Sequence, residues 1–297
     1  MSANGSVEPT EHHHQVNGVE LCCFEWPGAK ERAQEPTVLL VHATGFHARC
    51  WDQVVAHLPG RHIYAVDMRG HGRSEKTGPF TWDTFGRDLA ELVATLKLHD
   101  AVGVGHSMGG HSLVQAAAAH PDAFRHLLLI DPVIMAPETY SGAPAWPEGT
   151  EHPTARRRNQ WSSWQEMVQS FHDRKPFVVW DPAVLEDYCR HGLLAAAPDE
   201  GYVLACPPQV EASIYMNSTG TDIYPLVDTL ATPVTVIRAR EPATDRDIMD
   251  FSNSPTWPQL AARFPHGRDL HLPELTHFIP MEAPARAAGY IQTPSLT

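Results

Sequence analysis

Strand-length apolar runs alternate with helical patterns along most of this 297-residue chain. The run Thr37–Val41 (TVLLV) carries apolar side chains at consecutive positions, so a strand formed there would bury both of its faces, which is typical of a parallel sheet. In Thr81–Leu98, leucine and valine recur at intervals of three and four, the spacing of a buried helix face. The repeated strand–helix–strand order predicts an α/β fold with a doubly wound, mostly parallel sheet and helices on both faces.

The remaining elements of the sheet follow from the same patterns. Asn17-Gly18 separates two strand-like runs and predicts a hairpin with a tight turn, whose first strand opens at His12–His14. A helix is predicted at Met108–His120, because Pro121 would end it. We predict further strands at Val19–Phe24, His62–Asp67, Ala101–Gly105, Leu127–Ile130, Val234–Ile237 and Asp269–Leu272, with a helical segment at Pro258–Phe264.

The alternation stops between residues 133 and 225, where tryptophan is concentrated. Helical patterns within this stretch lie near 156–174, 182–193 and 208–217. We therefore predict that residues 133–225, called the inserted segment below, form a helical cap inserted between two strands. The predicted core then comprises residues 12–132 and 226–297, and residues 1–11 form a flexible lead.

The composition excludes several classes of function. Lys and Arg number 22 against 35 Asp and Glu, so the formal net charge is −13 with neutral histidines. Such a surface repels nucleic-acid phosphates and anionic lipid headgroups, so we expect no nucleic-acid and no membrane partner. The five cysteines are scattered without a Cys-x-x-Cys, which predicts reduced thiols in a cytoplasmic protein. The N-terminal residues lack the basic and apolar regions of a signal peptide.

The strongest chemical signal is Gly105–Gly110 (GHSMGG), which lies between a predicted strand and a predicted helix. This context fits a nucleophile elbow, a sharp turn that presents the hydroxyl of Ser107 above the edge of the sheet. The helix that begins after the serine offers free backbone N–H groups to a developing oxyanion. Because a serine hydroxyl is a weak nucleophile, it needs a general base within hydrogen-bond distance.

Three further motifs accompany the elbow, and together with it they resemble the α/β-hydrolase fold superfamily, in particular an esterase- or lipase-like member with a serine nucleophile and a helical cap. They are His42–Phe46 after the TVLLV strand, Asp67–Ser74 after the next strand, and Thr276–Phe278 near the end of the chain. The resemblance covers roughly residues 37–132 and 226–285. Ala43 departs from the His-Gly pair that is usual in the first of these loops.

The resemblance implies roles for individual residues. Ser107 would be the nucleophile and His277 the general base, since only His277 follows the last strand in the order serine, acid, histidine. Backbone N–H groups of Thr44 and Met108 would form the oxyanion hole, with Phe46 in place of Thr44 if the loop is shifted. A serine at position 107 disfavours the alkyl-enzyme chemistry of relatives that use an aspartate there.

The acidic member of the triad has several candidates. Asp131 ends the strand that follows the elbow helix, a position that some members of the superfamily use, although Asp-Pro is also a turn signal. The more usual position follows the strand Val234–Ile237, where no clean Gly-x-x-Asp occurs. We favour Asp131 over the candidates after that strand, which are Glu241, Asp245, Asp247 and Asp250.

The predicted function is cleavage of a small-molecule carboxylic ester through an acyl-enzyme intermediate, with specificity set by the cap. Hydrolysis of a carbon–carbon bond or a lactone by the same triad is an alternative, and so is a receptor-like member with little turnover. No phosphate-binding loop, dinucleotide fingerprint or zinc spacing occurs, so no cofactor and no metal are expected. Arg156–Arg158 is expected to be a solvated helix face, and a homo-oligomer remains allowed.

Overall fold

A computed structural model describes residues 8–141, 150–198, 200–242 and 252–294. The strands are β1 (Thr10–Val16), β2 (Val19–Trp26), β3 (Val38–Val41), β4 (Ile63–Val66), β5 (Ala101–His106), β6 (Phe124–Ile130), β7 (Gln160–Trp161), β8 (Leu193–Ala195), β9 (Tyr202–Leu204), β10 (Val234–Arg238) and β11 (Gly267–His271). The α-helices are α1 (Asp52–Ala56), α2 (Trp82–Thr95), α3 (Met108–Ala119), α4 (Trp164–Phe171), α5 (Pro182–His191), α6 (Pro208–Met216), α7 (Tyr224–Val227), α8 (Ile279–Glu282) and α9 (Pro284–Gln292).

Eight strands form the central sheet in the order β1-β2-β4-β3-β5-β6-β10-β11. The six strands from β4 to β11 in this order pair in parallel. The β1–β2 hairpin lies at one edge and pairs antiparallel with β4. This arrangement confirms the predicted α/β fold with a doubly wound, mostly parallel sheet.

The β3 strand shows why an uninterrupted apolar run belongs in this sheet. Leu39 and Val41 join the apolar cluster on the face covered by α2 and α3. Val38 and Leu40 point to the opposite face and join the cluster that includes side chains of α1 and α9. All four side chains are fully buried, as expected for a central strand with helices on both sides.

Several sequence-based boundaries need correction. The first strand begins at Thr10 rather than at His12, because Thr10 and Glu11 still pair with residues of β2. The helix expected at Pro258–Phe264 is a single 3-10 turn at Leu260–Arg263. The run Arg156–Arg158 does not form a helix face, since a short 3-10 helix already ends at Arg156.

The inserted segment joins β6 to β10, two neighbouring strands of the sheet. It contains helices α4 to α6, close to their expected positions, and also an antiparallel sheet in the order β7-β9-β8 that the helical pattern did not predict. Trp161 lies in β7, where its buried side chain packs edge-on against Phe171 of α4. Strands of two or three residues carry too little alternation to be recognised in a sequence.

Two further features bear on the expectations from composition. All five cysteines are buried and none forms a disulfide. Within the described ranges, no helix combines the length and the apolar character that crossing a bilayer requires.

Candidate active site

Ser107 lies at the sharp turn between β5 and α3. Its backbone has φ 57° and ψ −119°, a left-handed conformation that is costly for a residue with a side chain. The turn is possible because glycines surround it: a methyl group on Gly105 would lie 2.5 Å from the carbonyl oxygen of Gly109, and one on Gly109 would lie 2.3 Å from that of Val41. The expected elbow geometry is therefore present, with the serine above the carboxyl edge of the sheet.

The structure brings Ser107, His277 and Asp131 together. The Oγ of Ser107 lies 3.1 Å from Nε2 of His277, and Nδ1 of His277 lies 2.6 Å from Oδ2 of Asp131. A carboxylate can only accept, so Nδ1–H of His277 donates to Asp131 and Nε2 is left to accept the serine proton. Ser107 and His277 are 6% and 7% exposed, whereas Asp131 is fully buried.

Asp131 is held in a dense set of hydrogen bonds at the end of β6. Its backbone adopts a φ of 44°, and its Oδ1 accepts from the backbone N–H of Ala239 at 2.9 Å. The hydroxyl of Ser254 donates to the same oxygen at 2.5 Å. The hydroxyl of Thr256 shares its one proton between the carbonyl of Pro132 at 2.7 Å and this oxygen at 3.3 Å. Ala239 directly follows β10, so the strand end that was the more usual place to expect the acid supplies a backbone donor here.

Glu241, the second candidate for the acid, points elsewhere. Its side chain is 49% exposed and accepts a hydrogen bond from Nη1 of Arg238 at 3.0 Å, while Nδ1 of His277 is taken by Asp131. The other candidates, Asp245, Asp247 and Asp250, lie outside the described residues. Ser254 and Thr256 were missed by the sequence analysis, since nothing in their neighbourhood forms a motif.

The loop His42–Phe46, called the oxyanion loop below, follows β3 beside the elbow. The N–H of Gly45 donates to Nε2 of His71 at 3.0 Å, and the N–H of Phe46 donates to the carbonyl of Ala43 at 3.2 Å. In the described part of the chain, neither the N–H of Thr44 nor that of Met108 has an acceptor. The geometry thus favours Thr44 over Phe46 as the loop's donor.

A side-chain contact also joins the two residues expected to form the oxyanion hole. The hydroxyl of Thr44 donates to the sulfur of Met108 at 3.4 Å, and both side chains are buried. The loop and the first turn of α3 therefore lie in direct contact. Two backbone N–H groups are available from these adjoining segments, as an oxyanion hole requires.

Two buried imidazoles hold the oxyanion loop from the side of the sheet. His42 donates from Nδ1 to the carbonyl of Ala43 at 2.7 Å and accepts the N–H of Met68 on Nε2 at 2.9 Å. His71 donates from Nδ1 to the carbonyl of Arg69 at 2.9 Å while it accepts from Gly45. Burial lowers the pKa of both rings, His71 most strongly, so each is neutral and keeps one nitrogen free to accept.

His106 supports the position of His277 from the other side. Its Nε2–H donates to the backbone carbonyl of His277 at 2.9 Å, and the two rings lie 5.0 Å apart. Burial, and secondarily the proximity of His277, holds the pKa of His106 well below its usual value. A neutral His106 adds no positive charge that would oppose protonation of His277. This bond gives His106 a structural role beside the serine.

A cluster of aromatic side chains lies beside the site. Phe46 of the oxyanion loop lies at its centre, with ring centroids 5.6 Å from Trp180 and 5.4 Å from Tyr188 of the inserted segment. Phe278, the residue after His277, lies 6.1 Å from Phe46 and 5.3 Å from Trp180. The ring of Phe278 also lies 5.6 Å from that of His277, so this aromatic cluster adjoins the site with side chains from both the core and the inserted segment.

Groups able to ligate a metal ion occur away from this site. One group in the described ranges consists of Asp52, Asp187 and His191, at the contact of α1 with α5. Both oxygens of Asp52 already accept from Nε of Arg49, at 2.9 and 2.8 Å, so a guanidinium occupies the place of a cation. A second group, Glu11, His13 and Cys22, lies on the edge hairpin. Neither group includes a residue of the site.

Comparisons with known proteins agree with this architecture. The model of the alpha/beta hydrolase family matches residues 38–289. Lipase LipV of Mycobacterium tuberculosis is 29% identical over 267 residues, which cover 86% of this chain and 92% of the lipase. The structure of E-2-(acetamidomethylene)succinate hydrolase aligns with a TM-score of 0.73 at 19% identity, covering 96% of this chain and 98% of that one. The structure of the enol-lactonase from Burkholderia xenovorans LB400 aligns with a TM-score of 0.64 at 22% sequence identity. The alignment covers 95% of this chain and 98% of the lactonase.

Proposed function

The chain belongs to the alpha/beta hydrolase family, and from this premise we propose that it is a serine hydrolase that cleaves carboxylic esters through an acyl-enzyme intermediate. The observation that carries the proposal is the continuous line of hydrogen bonds from Ser107 through His277 to Asp131. This order of hydroxyl, imidazole and carboxylate is what makes a serine nucleophilic.

Acylation uses the groups described above. The Oγ of Ser107 forms a bond to the ester carbonyl carbon while Nε2 of His277 takes the hydroxyl proton. The carbonyl oxygen becomes an oxyanion that accepts from the N–H groups of Thr44 and Met108. As the intermediate collapses, the bond to the alcohol oxygen breaks and His277 returns the proton to that oxygen. Asp131 stabilises the imidazolium throughout without becoming protonated itself.

Deacylation repeats these steps with water in place of the serine. Nε2 of His277 takes a proton from the water, the water oxygen attacks the acyl carbon, and the same N–H groups receive the oxyanion. The bond to Oγ of Ser107 then breaks, and the proton passes from His277 to the serine. The products are a carboxylic acid and the free enzyme.

The aromatic cluster beside His277 supports a substrate with a small or medium apolar acyl or alcohol group. We propose that the inserted segment acts as a cap that sets this preference, because Trp180 and Tyr188 contact Phe46 of the oxyanion loop. The same triad can open a lactone or cleave a carbon–carbon bond. A lactone and a substrate for carbon–carbon cleavage are therefore assayed beside the esters in the experiment below.

The test is a comparison of Ser107→Ala with the wild-type chain on p-nitrophenyl esters of increasing length. We expect turnover to fall at least about 10³-fold, because the nucleophile is gone while the fold is kept. Ser112→Ala is the matched control, since Ser112 is a buried serine in α3, the helix that follows Ser107, and its Oγ donates to the carbonyl of Met108 at 3.1 Å. A lactone and a vinylogous diketone complete the panel. Ester turnover retained by Ser107→Ala would overturn the proposal.

A further inference from the structure

Building on the proposed function, we infer that Glu211 and Arg157 of the inserted segment are positioning residues for the oxyanion hole. Their ion pair contacts the oxyanion loop beside Thr44, and it holds the N–H of Thr44 in place for the oxyanion. Neither residue touches the reacting atoms. The sequence suggested no such role, because Arg157 lies within the run Arg156–Arg158 that was expected to be solvated.

The first step is the contact between Glu211 and the loop. Gly45 directly follows Thr44 and has a φ of 80°, a left-handed conformation that favours glycine. A methyl group on Gly45 would lie 2.5 Å from Oε1 and 2.8 Å from Cδ of Glu211. The carboxylate therefore packs directly against the backbone of the loop. A change in the position of Glu211 would release the peptide unit next to the N–H of Thr44.

The second step is the charge that fixes the carboxylate. The side chain of Glu211 is 6% exposed, and its Oε2 accepts from Nη1 of Arg157. Burial raises the pKa of Glu211, and the guanidinium opposes that shift and orients the group. Nη2 of Arg157 donates to the hydroxyl of Tyr188 at 3.1 Å, and the ring of Tyr188 packs on Phe46. The ion pair thus acts on the two residues that follow Thr44. Glu211 contacts Gly45 directly, and Arg157 acts on Phe46 through the ring of Tyr188.

The third step is the attachment of α6, which carries Glu211, to the core. The indole N–H of Trp82 donates to the carbonyl of Ile214 at 2.9 Å, so α6 is fixed to α2. Val210, the neighbour of Glu211, packs against Gly70 in the turn that also carries His71. His71 accepts the N–H of Gly45, whose Cα faces the carboxylate of Glu211. Gly45 therefore contacts both an imidazole of the core and a carboxylate of the inserted segment.

A purely structural role is the alternative that the experiment must separate. Replacing both partners of a buried ion pair by apolar side chains is often neutral or stabilising, whereas removing one partner leaves a buried charge unpaired. The double variant Arg157→Met/Glu211→Leu leaves no unpaired charge and should therefore fold. Its Tm should be lowered only by the loss of the bonds to the hydroxyls of Tyr188 and Tyr215. It keeps the inserted segment packed but lacks the oriented carboxylate against Gly45.

We would measure kcat, KM and Tm for Glu211→Ala, Glu211→Gln and the double variant on p-nitrophenyl butyrate. Arg156→Met is the matched control, because Arg156 is 77% exposed and pairs with Glu151. We expect Glu211→Ala and the double variant to lose about 10- to 100-fold in kcat with KM changed less than about threefold, since a small displacement of an oxyanion donor has effects of that size. Glu211→Gln, which keeps the contact with Gly45, should recover most of the loss.

A second readout follows the oxyanion hole itself. Phenylboronic acid forms a tetrahedral adduct in which boron is bonded to the Oγ of Ser107. The affinity of the enzyme for this inhibitor should fall in parallel with kcat in the slow variants. Wild-type kcat and inhibitor affinity in the double variant would overturn the inference, as would a Gln variant as slow as the Ala variant. If the wild-type chain neither cleaves esters nor binds the boronic acid, the proposed function itself fails, which is a distinct result.

Discussion

The carboxyl edge of the sheet and the inserted segment meet at the same site but contribute to it differently. At the sheet edge, each group sits at the end of a strand: Ser107 after β5, Asp131 after β6 and the oxyanion loop after β3. The inserted segment contributes aromatic side chains and one ion pair, which pack against the oxyanion loop. In the proposed mechanism, the sheet edge therefore supplies the reacting groups, and the inserted segment supplies the shape around them.

This difference has a consequence for substitutions. Changes at the sheet edge should lower kcat for every ester in a series, because all substrates use the same groups. Changes among the aromatic side chains of the inserted segment should alter the preference among substrates instead. The Arg157–Glu211 pair is an exception, because it belongs to the inserted segment yet contacts the oxyanion loop. Changes to it should lower kcat, as changes at the sheet edge do.

The largest effect is expected for Asp131→Asn. An asparagine cannot hold the Nδ1–H tautomer of His277 in the same way, so kcat should fall by about 10⁴-fold for all esters. Glu241→Gln is the control, because Glu241 is exposed and bonds only Arg238 among the described contacts. Initial rates on a short and a long ester measure both. If Glu241→Gln lost activity and Asp131→Asn kept it, the acid would be assigned to the wrong strand end.

A smaller loss is expected for His71→Ala. This change removes the acceptor of the Gly45 N–H and leaves the oxyanion loop free to shift, so kcat should fall by about tenfold with similar ratios across the ester series. His62→Ala is the control, since His62 also accepts or donates through both ring nitrogens but lies at the far end of β4. Steady-state kinetics check the result. A change in chain-length preference without a change in kcat would contradict this role for His71.

Trp180→Ala tests the other region. Removing the indole that packs on Phe46 and Phe278 should open space in the aromatic cluster beside His277. We therefore expect the ratio of kcat/KM for long and short esters to shift by about tenfold toward the long ones. Trp161→Ala is the control, because Trp161 packs on Phe171 within the inserted segment. The ester series measured at fixed enzyme concentration gives the ratio. Equal losses for every ester would place Trp180 with the sheet-edge group instead.

The last prediction concerns stability away from both regions. Burial lowers the pKa of His126 to about 4, and His126 bonds Thr235 at 3.0 Å within the sheet. Below the unfolded value of 6.5, the unfolded chain binds a proton that the folded chain does not, so stability falls as pH drops from 6.5 towards 4.

His126→Gln should therefore flatten the pH dependence of the free energy of unfolding in this window by up to about 1.4 kcal/mol per pH unit. Urea unfolding at pH 6.5, 5.5 and 4.5 measures the slope, and the exposed His172→Gln provides the control. An unchanged slope in His126→Gln would mean that this imidazole is protonated in the folded chain.

The sheet edge was largely predictable because its signals are local. Gly105–Gly110 sits between a strand and a helix, and the β3 strand is apolar throughout, so periodicity and turn chemistry agree with each other. Asp131 was favoured from its place at a strand end, and the structure brings it to His277. In these cases a few adjacent residues determine both the local backbone conformation and the reactive group, so both can be predicted from a short stretch of sequence.

The contacts that were missed join residues distant in sequence. Glu211 and Arg157 are 54 residues apart, and Ser254 lies 123 residues from Asp131. No periodicity predicts such pairs, because their proximity depends on how the inserted segment and the loop after β10 pack. Arg157 shows this most clearly, since its neighbours Arg156 and Arg158 remain exposed while its own side chain pairs with a buried carboxylate.

The most direct test of the central claim is intact-mass analysis after treatment with a fluorophosphonate. The proposed mechanism predicts one phosphonyl group per chain, located on the peptide that contains Ser107, with labelling abolished in Ser107→Ala and strongly slowed in His277→Ala. A label of equal rate and stoichiometry in the Ser107→Ala chain would contradict it.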